Sequence, residues 1–511
     1  LILFPSLLPD AQSDSFAMKF VISLLLFVNY ALSATLQQPL ASQDDVFVPP
    51  KVAIIGAGAG GSSAAYHLQK FTSGRFNITI FERNSYVGGR STTIGNYDPG
   101  YPYDIELGGA VFVTVNKILV ESAKKFNLTL QELGSFSKIH GDVFQDSIGI
   151  WNGTDFTFTT SKQNNSYWLL AKLLWKYKLS PIRVYLSLKK FVRTFIQEYY
   201  ENHFPLQGLN EVNKVSGFDH VTNQTGEEFL LGKGVGTDFL HELLETVTRV
   251  NYRSNLDDIH GLEALVSVAA DEKAYRVKGG NFLIFENFIK ASNASLKLNT
   301  DVLQLSKQGS LWNVTYQSNN DDTNTHSELF DHVVLASPFN QTSIAFDDSI
   351  SIPREVEYRE LYVTFIQTNR TQQLNHAIFK HYSIPEQILT TSPTDSIPFF
   401  SINLVDYDKE SDKIIYKIFS PIPIDYQYLE NFLFDEKQTD WNHVKIIFSK
   451  LWKPYPHLIP ISTFDDFLIG ENFWYLNTIE SFISTMETAA FAGANVAGLI
   501  SIGQNTTDIK L

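Results

Sequence analysis

Apolar and polar positions fall in blocks along this chain, and the blocks mark its elements. Val52-Ala53-Ile54-Ile55 is an unbroken apolar run that stops at Gly56. The helix-compatible segment Ser62-Ser63-Ala64-Ala65-Tyr66-His67-Leu68 follows, then a second strand-like run, Asn77-Ile78-Thr79-Ile80-Phe81, closed by Glu82. Short apolar runs bounded by turn residues read as buried strands. Asp331-His332-Val333-Val334-Leu335-Ala336-Ser337-Pro338 predicts a late buried strand, and Phe473-Trp474-Tyr475-Leu476-Asn477 another, with Thr478-Ile479-Glu480 as a turn. A small-residue helix is expected from about Thr485 to Ile500, rich in Ala489, Ala490, Ala492, Gly493, Ala494, Ala497 and Gly498. Ser484 and Glu487 have the spacing of a capping box at its start.

Residues 167–197 predict two amphipathic helices. The first carries Trp168, Leu169, Leu170, Leu173, Leu174, Trp175 and Tyr177; the second carries Val184, Tyr185, Leu188, Phe191, Val192 and Phe195. Ser180 is placed to cap the second, with Pro181 at its first position. Lys172, Lys176, Lys178, Arg183, Lys189, Lys190 and Arg193 lie here with no acidic residue among them. One reading is a helical pair at a membrane surface or the mouth of a lipid pocket. The other, favoured on amphipathicity alone, is a pair of core helices with a solvated basic face. Gly232-Lys233-Gly234-Val235-Gly236 has no strand before it and reads as a loop, and Asn319-Asn320-Asp321-Asp322-Thr323-Asn324 as an exposed turn.

The chemistry sits in the first turn. Gly56, Gly58 and Gly61 make a Gly-x-Gly-x-x-Gly pattern between strand and helix, and Glu82 ends the next strand about 20 residues on, the context that a dinucleotide fingerprint requires. Free N–H groups at the helix start suit a pyrophosphate, and Glu82 suits ribose hydroxyls. This unit alone does not choose between NAD and FAD. The residues after it, Arg83-Asn84-Ser85-Tyr86-Val87-Gly88-Gly89-Arg90-Ser91, resemble the amine-oxidase-like flavoprotein superfamily, in which a Gly-Gly-Arg turn follows the ribose glutamate. That resemblance implies FAD, with Arg83, Gly88 and Gly89 near the cofactor and Arg90 offsetting phosphate charge. Asp104-Ile105-Glu106-Leu107-Gly108-Gly109 resembles the loop beneath a flavin ring, which adds Gly108 and Gly109. Glu480 and Thr485 are further cofactor candidates, because a helix start there stabilises negative charge. No second nucleotide fingerprint is evident, so oxygen is the expected electron acceptor.

These segments stand at the start, middle and end of the chain. The expected fold is therefore α/β and two-lobed, with a discontinuous Rossmann-like FAD lobe (50–135, 271–345, 455–502) and an inserted α+β substrate lobe (136–270, 346–454). A length of 511 residues, 44% hydrophobic, suffices for this. A net charge of −15 makes nucleic acid an unsuitable partner. The chain has no cysteine, hence no disulfide, thiolate chemistry or cysteinyl flavin link, and FAD is expected to be held noncovalently. No metal is expected. Met18-Lys19 followed by a short apolar run to Ala31-Leu32-Ser33 reads as a secretory signal peptide over 18–33, with 1–17 as upstream translation and 34–49 as a polar linker. Ten Asn-x-Ser/Thr sites, at Asn77, Asn127, Asn152, Asn164, Asn223, Asn293, Asn313, Asn340, Asn369 and Asn505, support the secretory route.

Four further segments sharpen the picture: Thr248-Arg249-Val250-Asn251-Tyr252, Gly261-Leu262-Glu263-Ala264-Leu265-Val266-Ser267, Tyr275-Arg276-Val277-Lys278-Gly279-Gly280-Asn281 and Trp452-Lys453-Pro454-Tyr455-Pro456-His457. With the signal peptide and the Gly88-Gly89-Arg90 turn, they resemble the prenylcysteine oxidase family, also called prenylcysteine or farnesylcysteine lyases, from about residue 51 to about residue 500. The resemblance implies a lysosomal, vacuolar or secreted FAD-dependent thioether oxidase acting on farnesyl- or geranylgeranyl-cysteine. Hydride leaves the isoprenoid carbon bonded to sulfur, water adds, and the hemithioacetal collapses to aldehyde and cysteine while oxygen becomes hydrogen peroxide. An apolar slot is then needed, which 39 Phe and 23 Tyr can supply. Arg249 and Asn251 are candidates for the substrate's amino-acid end, the alternative for Arg249 being a buried structural role. No motif names a catalytic acid or base. Between Val266 and Tyr275 the chain departs from its relatives' Ser/Cys-rich run. The competing readings are a flavin amine or polyamine oxidase, for which no lysine can be assigned, and a non-catalytic secreted glycoprotein of the same fold.

Overall fold

The computed structural model describes residues 48–511 except 102, 133–146, 161–165, 270–272, 320–323, 370–373, 380–383, 392–396, 436, 438 and 504–508. The expected signal peptide, nearly all of the linker, most of the turn at 319–324, part of the 267–274 departure, Asn164 and Asn505 lie outside the described residues.

The run Lys51–Ile55 lies inside a six-stranded sheet ordered Ser295–Lys297, Asn77–Phe81, Lys51–Ile55, His332–Leu335, Phe473–Tyr475, Leu468–Gly470. All neighbours pair in parallel except the last, which is antiparallel. Val52–Ile55 is apolar throughout because both sheet faces are covered. Val52 and Ile54 pack into a core with the helices Ala59–Thr72, Phe282–Ser292 and Met486–Ile502, whereas Ala53 and Ile55 pack against a four-stranded sheet through Leu305, Trp312 and Val314. Successive strand residues point to opposite faces, so four consecutive apolar side chains serve two cores.

The Ala/Gly composition of Met486–Ile502 lets it lie against the helix Ala59–Thr72. A Cβ at Gly493 would stand 2.2 Å from the Gly60 carbonyl oxygen and 2.7 Å from the Ala64 nitrogen. This helix begins one residue later than expected. Its cap is Thr485, whose hydroxyl accepts from the Thr488 N–H at 3.1 Å, so the box is Thr485/Thr488 and not Ser484/Glu487. Glu487 caps a different helix: its carboxylate accepts the N–H groups of Ile118 (2.9 Å) and Leu119 (3.1 Å) at the start of Lys117–Lys125. Free N–H groups at a helix start draw whatever acceptor is near in space, not only the local one.

The second lobe is a seven-stranded mixed sheet ordered Lys445–Pro456, Tyr358–Asn369, Lys413–Ser420, Ser401–Asp408, Gln387–Thr390, Ile148–Trp151, Phe156–Thr160. The two expected helices are Ser166–Tyr177 and Ser180–Phe195. Ser180 does not cap the second: it is the first helical residue, and its hydroxyl accepts from the Gly236 N–H at 2.9 Å. Gly232–Gly236 connects a helix ending at Gly232 to one starting at Thr237. The strands of the first lobe come from residues 51–81, 295–335 and 468–475, and those of the second from 148–160 and 358–456.

Candidate active site

Where the strand Lys51–Ile55 turns into the helix Ala59–Thr72, backbone crowding dictates the sequence. A Cβ at Gly61 would stand 2.0 Å from the Gly56 carbonyl oxygen, so no other residue lets helix and turn close this tightly. The N-cap, Gly58, has no side chain to satisfy the first N–H groups, and no acidic residue lies in the first turn. This helix start is thus left open for an anion. Gly58 bridges to Gly88, bringing the Gly88-Gly89 turn against it. Glu82 lies at the end of the neighbouring strand. One carboxylate oxygen accepts the Ala57 N–H at 2.8 Å; the other accepts the Asn84 N–H at 2.9 Å and its side-chain amide at 2.6 Å.

These groups line one end of a cavity of about 1190 Å³. Typical small-molecule sites are about 300–1,000 Å³, so there is room for a dinucleotide and a second ligand. Gly56, Gly58, Glu82, Arg83, Gly88, Gly89, Arg90, Gly108, Gly109, Glu480 and Thr485 are on its wall, whereas Gly61 sits behind it. Four buried polar atoms on the same wall have no partner among the described residues: Ser91 Oγ, Glu106 Oε2, Gln341 Nε2 and Trp452 Nε1. Buried polar groups are almost always paired, so a ligand there would complete them. The helix start, the fixed carboxylate and these atoms fit FAD.

Arg90 is not free to offset a phosphate. It forms an ion pair with Glu480 and donates to the Pro454 carbonyl at 3.1 Å. Glu480 also accepts from Tyr358 and from the Asn477 amide (2.8 Å). The cluster ties the Gly-Gly-Arg turn to the end of Lys445–Pro456 and to the turn before the last helix. Arg83 is exposed at the rim and donates to the Gln341 carbonyl at 3.2 Å.

The second lobe and the helices beside it contribute an apolar arm to the wall, Ile148, Phe158, Leu169, Val266, Leu404 and Phe419, with Thr160, Gln387 and Asn403 among them. Arg249 and Asn251 part company here. Asn251 is on the wall and donates to the Ser267 carbonyl at 3.1 Å. Arg249 is buried away from it, bonded to the Thr390 carbonyl and hydroxyl (3.2 Å each) and to Asn255 (3.0 Å), which is the structural alternative. Residues two apart on a helix point about 200° apart, so one helical turn could not bring both to one ligand.

Lys417 and Lys450 on this wall escaped the sequence reading, and Glu106 and Asn281 were legible only as members of longer segments. Lys417 is buried on the wall and donates to the Glu106 carbonyl at 2.7 Å; burial pulls its pKa down to about 8. Glu106 accepts the Asn281 N–H at 2.7 Å through Oε1, and burial pushes its pKa up to about 7. Asn281 also donates to the Gly109 carbonyl at 2.8 Å, which is what the Gly279-Gly280-Asn281 segment does. Lys450, its pKa also lowered by burial to about 8, lies 3.6 Å over the Tyr97 ring. A lysine inside the buried strand Lys413–Ser420 was the available signal for Lys417, since unpaired charge is costly there.

A model of the NAD(P)-binding Rossmann-like domain matches residues 54–124. The chain is 27% identical to mouse (Mus musculus) prenylcysteine oxidase 1, the match covering 90% of each chain, and 29% identical to the Pongo abelii protein, covering 88% of each. It is 27% identical to Arabidopsis thaliana farnesylcysteine lyase over 88% of each. Among solved structures, putrescine oxidase bound to putrescine superposes with a TM-score of 0.56 at 14% identity, covering 88% of this chain and 98% of that one. A fatty acid isomerase from P. acnes gives 0.55 at 14%, covering 88% and 97%. At such identity these two structures establish the fold alone, a two-lobed α/β architecture. The prenylcysteine lyase model matches residues 160–508, more than half of the chain, and the chain belongs to that family.

Proposed function

We propose that this protein is an FAD-dependent oxidase that cleaves S-farnesyl- or S-geranylgeranyl-cysteine to prenyl aldehyde, free cysteine and hydrogen peroxide, consuming oxygen and water. The carrying observation is a single cavity that joins a dinucleotide cradle to an apolar arm. Bound FAD supplies the two-electron acceptor for the hydride on the isoprenoid carbon next to sulfur, and oxygen takes the electrons on. The chain does the rest. Gly56, Gly58, Gly88 and Gly89 admit the cofactor, and Glu82 is positioned for its ribose. The apolar arm excludes water from the tail and fixes the reacting carbon by holding what is attached to it. Asn251 supplies a polar group on the arm for the amino-acid end. Oε1 of Glu106 is taken by Asn281, so through the mildly acid range its proton sits on Oε2, which has no partner among the described residues.

Each buried CH₂ is worth about 0.8 kcal/mol, so kcat/KM should rise from S-methyl- through S-geranyl- to S-farnesylcysteine until the arm is full. Peroxide release is the assay. Equal turnover of S-methyl- and S-farnesylcysteine would remove the role of the arm, and turnover of polyamines alone would replace the reaction. Acid precipitation should leave the flavin in solution; a coloured pellet would mean a covalent link.

We also place the protein in the secretory pathway, bound for a lysosome or vacuole or for export, from Met18 with cleavage near Ser33. Exposed Asn77, Asn127, Asn152, Asn223, Asn293 and Asn340, each in a glycosylation sequon, support this. Enzymatic deglycosylation should raise gel mobility.

A further inference from the structure

The hairpin Ser166–Tyr177/Ser180–Phe195 does not bury all its apolar residues. Leu173, Tyr177, Val184, Leu188 and Phe191 face the core. Four others do not: Trp175 is 90% exposed, Leu179 55%, Ile182 40% and Leu186 59%. They are not scattered. Trp175 is in the last turn of the first helix, Leu179 is in the elbow, and Ile182 and Leu186 are one turn apart on the second helix, where they share a face. Clustered exposed apolar groups mark an interaction site, whereas single ones do not.

Charge says what the site meets. Lys172, Lys178, Lys189, Lys190 and Arg193 flank the cluster and are exposed. Arg183 donates to the Gly234 carbonyl of the adjoining loop, which adds exposed Lys233. The acidic groups of the element packed behind are Asp238 and Glu242, and Glu242 is taken by Lys176 (2.5 Å) and the Tyr177 hydroxyl (2.8 Å). In a chain of net charge −15 this is a local reversal of sign. An exposed tryptophan and leucines ringed by lysines suit the boundary of an anionic lipid bilayer. Among the described residues no helix is long and apolar enough to cross a membrane, so the contact is on the surface.

Position gives the contact a purpose. Leu169, on the same helix as Trp175, lines the apolar arm, and six residues of helix rise about 9 Å. We propose that the elbow around Trp175, Leu179, Ile182 and Leu186 is an interfacial anchor that seats the protein on an anionic membrane with the apolar arm close to the lipid surface. A prenylated small molecule dissolved in the bilayer then has a short path to the cavity. The purpose rests on the proposed substrate class; the anchor does not, so vesicle binding and turnover fail separately.

The test is sedimentation of the purified flavin-loaded protein with vesicles of phosphatidylcholine and phosphatidylserine, about 2:1, beside vesicles of phosphatidylcholine alone. Binding should need the anionic lipid. The combined variant Trp175→Ser, Leu179→Ser, Leu186→Ser should bind at least about tenfold more weakly, and Lys189→Glu with Lys190→Glu likewise. All these side chains are exposed, so flavin content should hold, which checks folding. A parent protein that stays in the supernatant overturns the proposal, as does a triple variant that binds as well as the parent. So does a parent that ignores vesicles but self-associates through this face, which would assign the surface to a second copy of the chain.

Discussion

Both carboxylate oxygens of Glu82 are engaged by backbone and side-chain N–H groups of the turn, so the carboxylate is held where a ribose would meet it. Charge-assisted bonds of this kind contribute about 1.5–3 kcal/mol each. Glu82→Ala should therefore weaken FAD retention by at least about tenfold, measured as flavin fluorescence released on dialysis, while the parent stays yellow. Glu82 was legible in the sequence because its role is set within 31 residues, from Val52 to Glu82, by a strand, a turn and a strand end. Arg90 was legible only as far as its position on the cavity wall. Its partner Glu480 is 390 residues away, and no local pattern announces that the two charges meet. Arg249 and Lys417 show the same limit from opposite sides: a buried arginine for which a ligand contact and a structural role both stayed open, and a buried lysine that went unremarked.

At the scale of elements, periodicity located strands and helices well and their ends less well. The strand at 332–335 and the last helix follow from unbroken apolar and small-residue runs. The capping box slipped by one residue because Thr485 offers the same chemistry as Ser484 and because Glu487 is drawn off by the helix at Lys117. Ser180 went to Gly236 for the same reason. Composition did foretell close packing of the last helix, but not that its partner is the glycine-turn helix. Gly493→Ala should test that contact. A methyl 2.2 Å from a carbonyl oxygen must push the helices apart, at a cost of about 1–3 kcal/mol. Thermal unfolding should fall by several degrees, and flavin should be lost at lower temperature, because the same contact backs the phosphate end of the cradle.

Across the whole molecule, buried ionisable groups set how stability varies with pH. Burial raises Glu106 and Glu487 to about 7 and Glu263 to about 8. A carboxyl with a raised folded pKa adds stability that is complete below its unfolded value and lost as pH climbs through the folded one. Burial also lowers His67 to about 3 and His260 to about 4. A depressed histidine adds stability present above its unfolded value and lost as pH falls toward the folded one. The glutamates act in full only below about pH 4.5 and the histidines only above about 6.5, so between these values gains and losses oppose each other. Three glutamates outweigh two histidines, so melting temperature should be highest near about pH 4.5–5, decline through neutrality and be lower by pH 8, each glutamate contributing on the order of 1–3 kcal/mol. Glu487→Gln should flatten the alkaline limb; a profile that rises steadily to pH 8 would contradict the assignment. The discontinuous cofactor lobe has a consequence in time as well as in space. Its sheet takes strands from residues 51–81, 295–335 and 468–475, and the helix Met486–Ile502 closes over the glycine turn. A ribosome must have passed residue 502 before all these pieces can meet. Flavin capture thus waits on these later segments, and a nascent chain halted before Phe473 has the phosphate-binding motif without the strands and helix that complete its site.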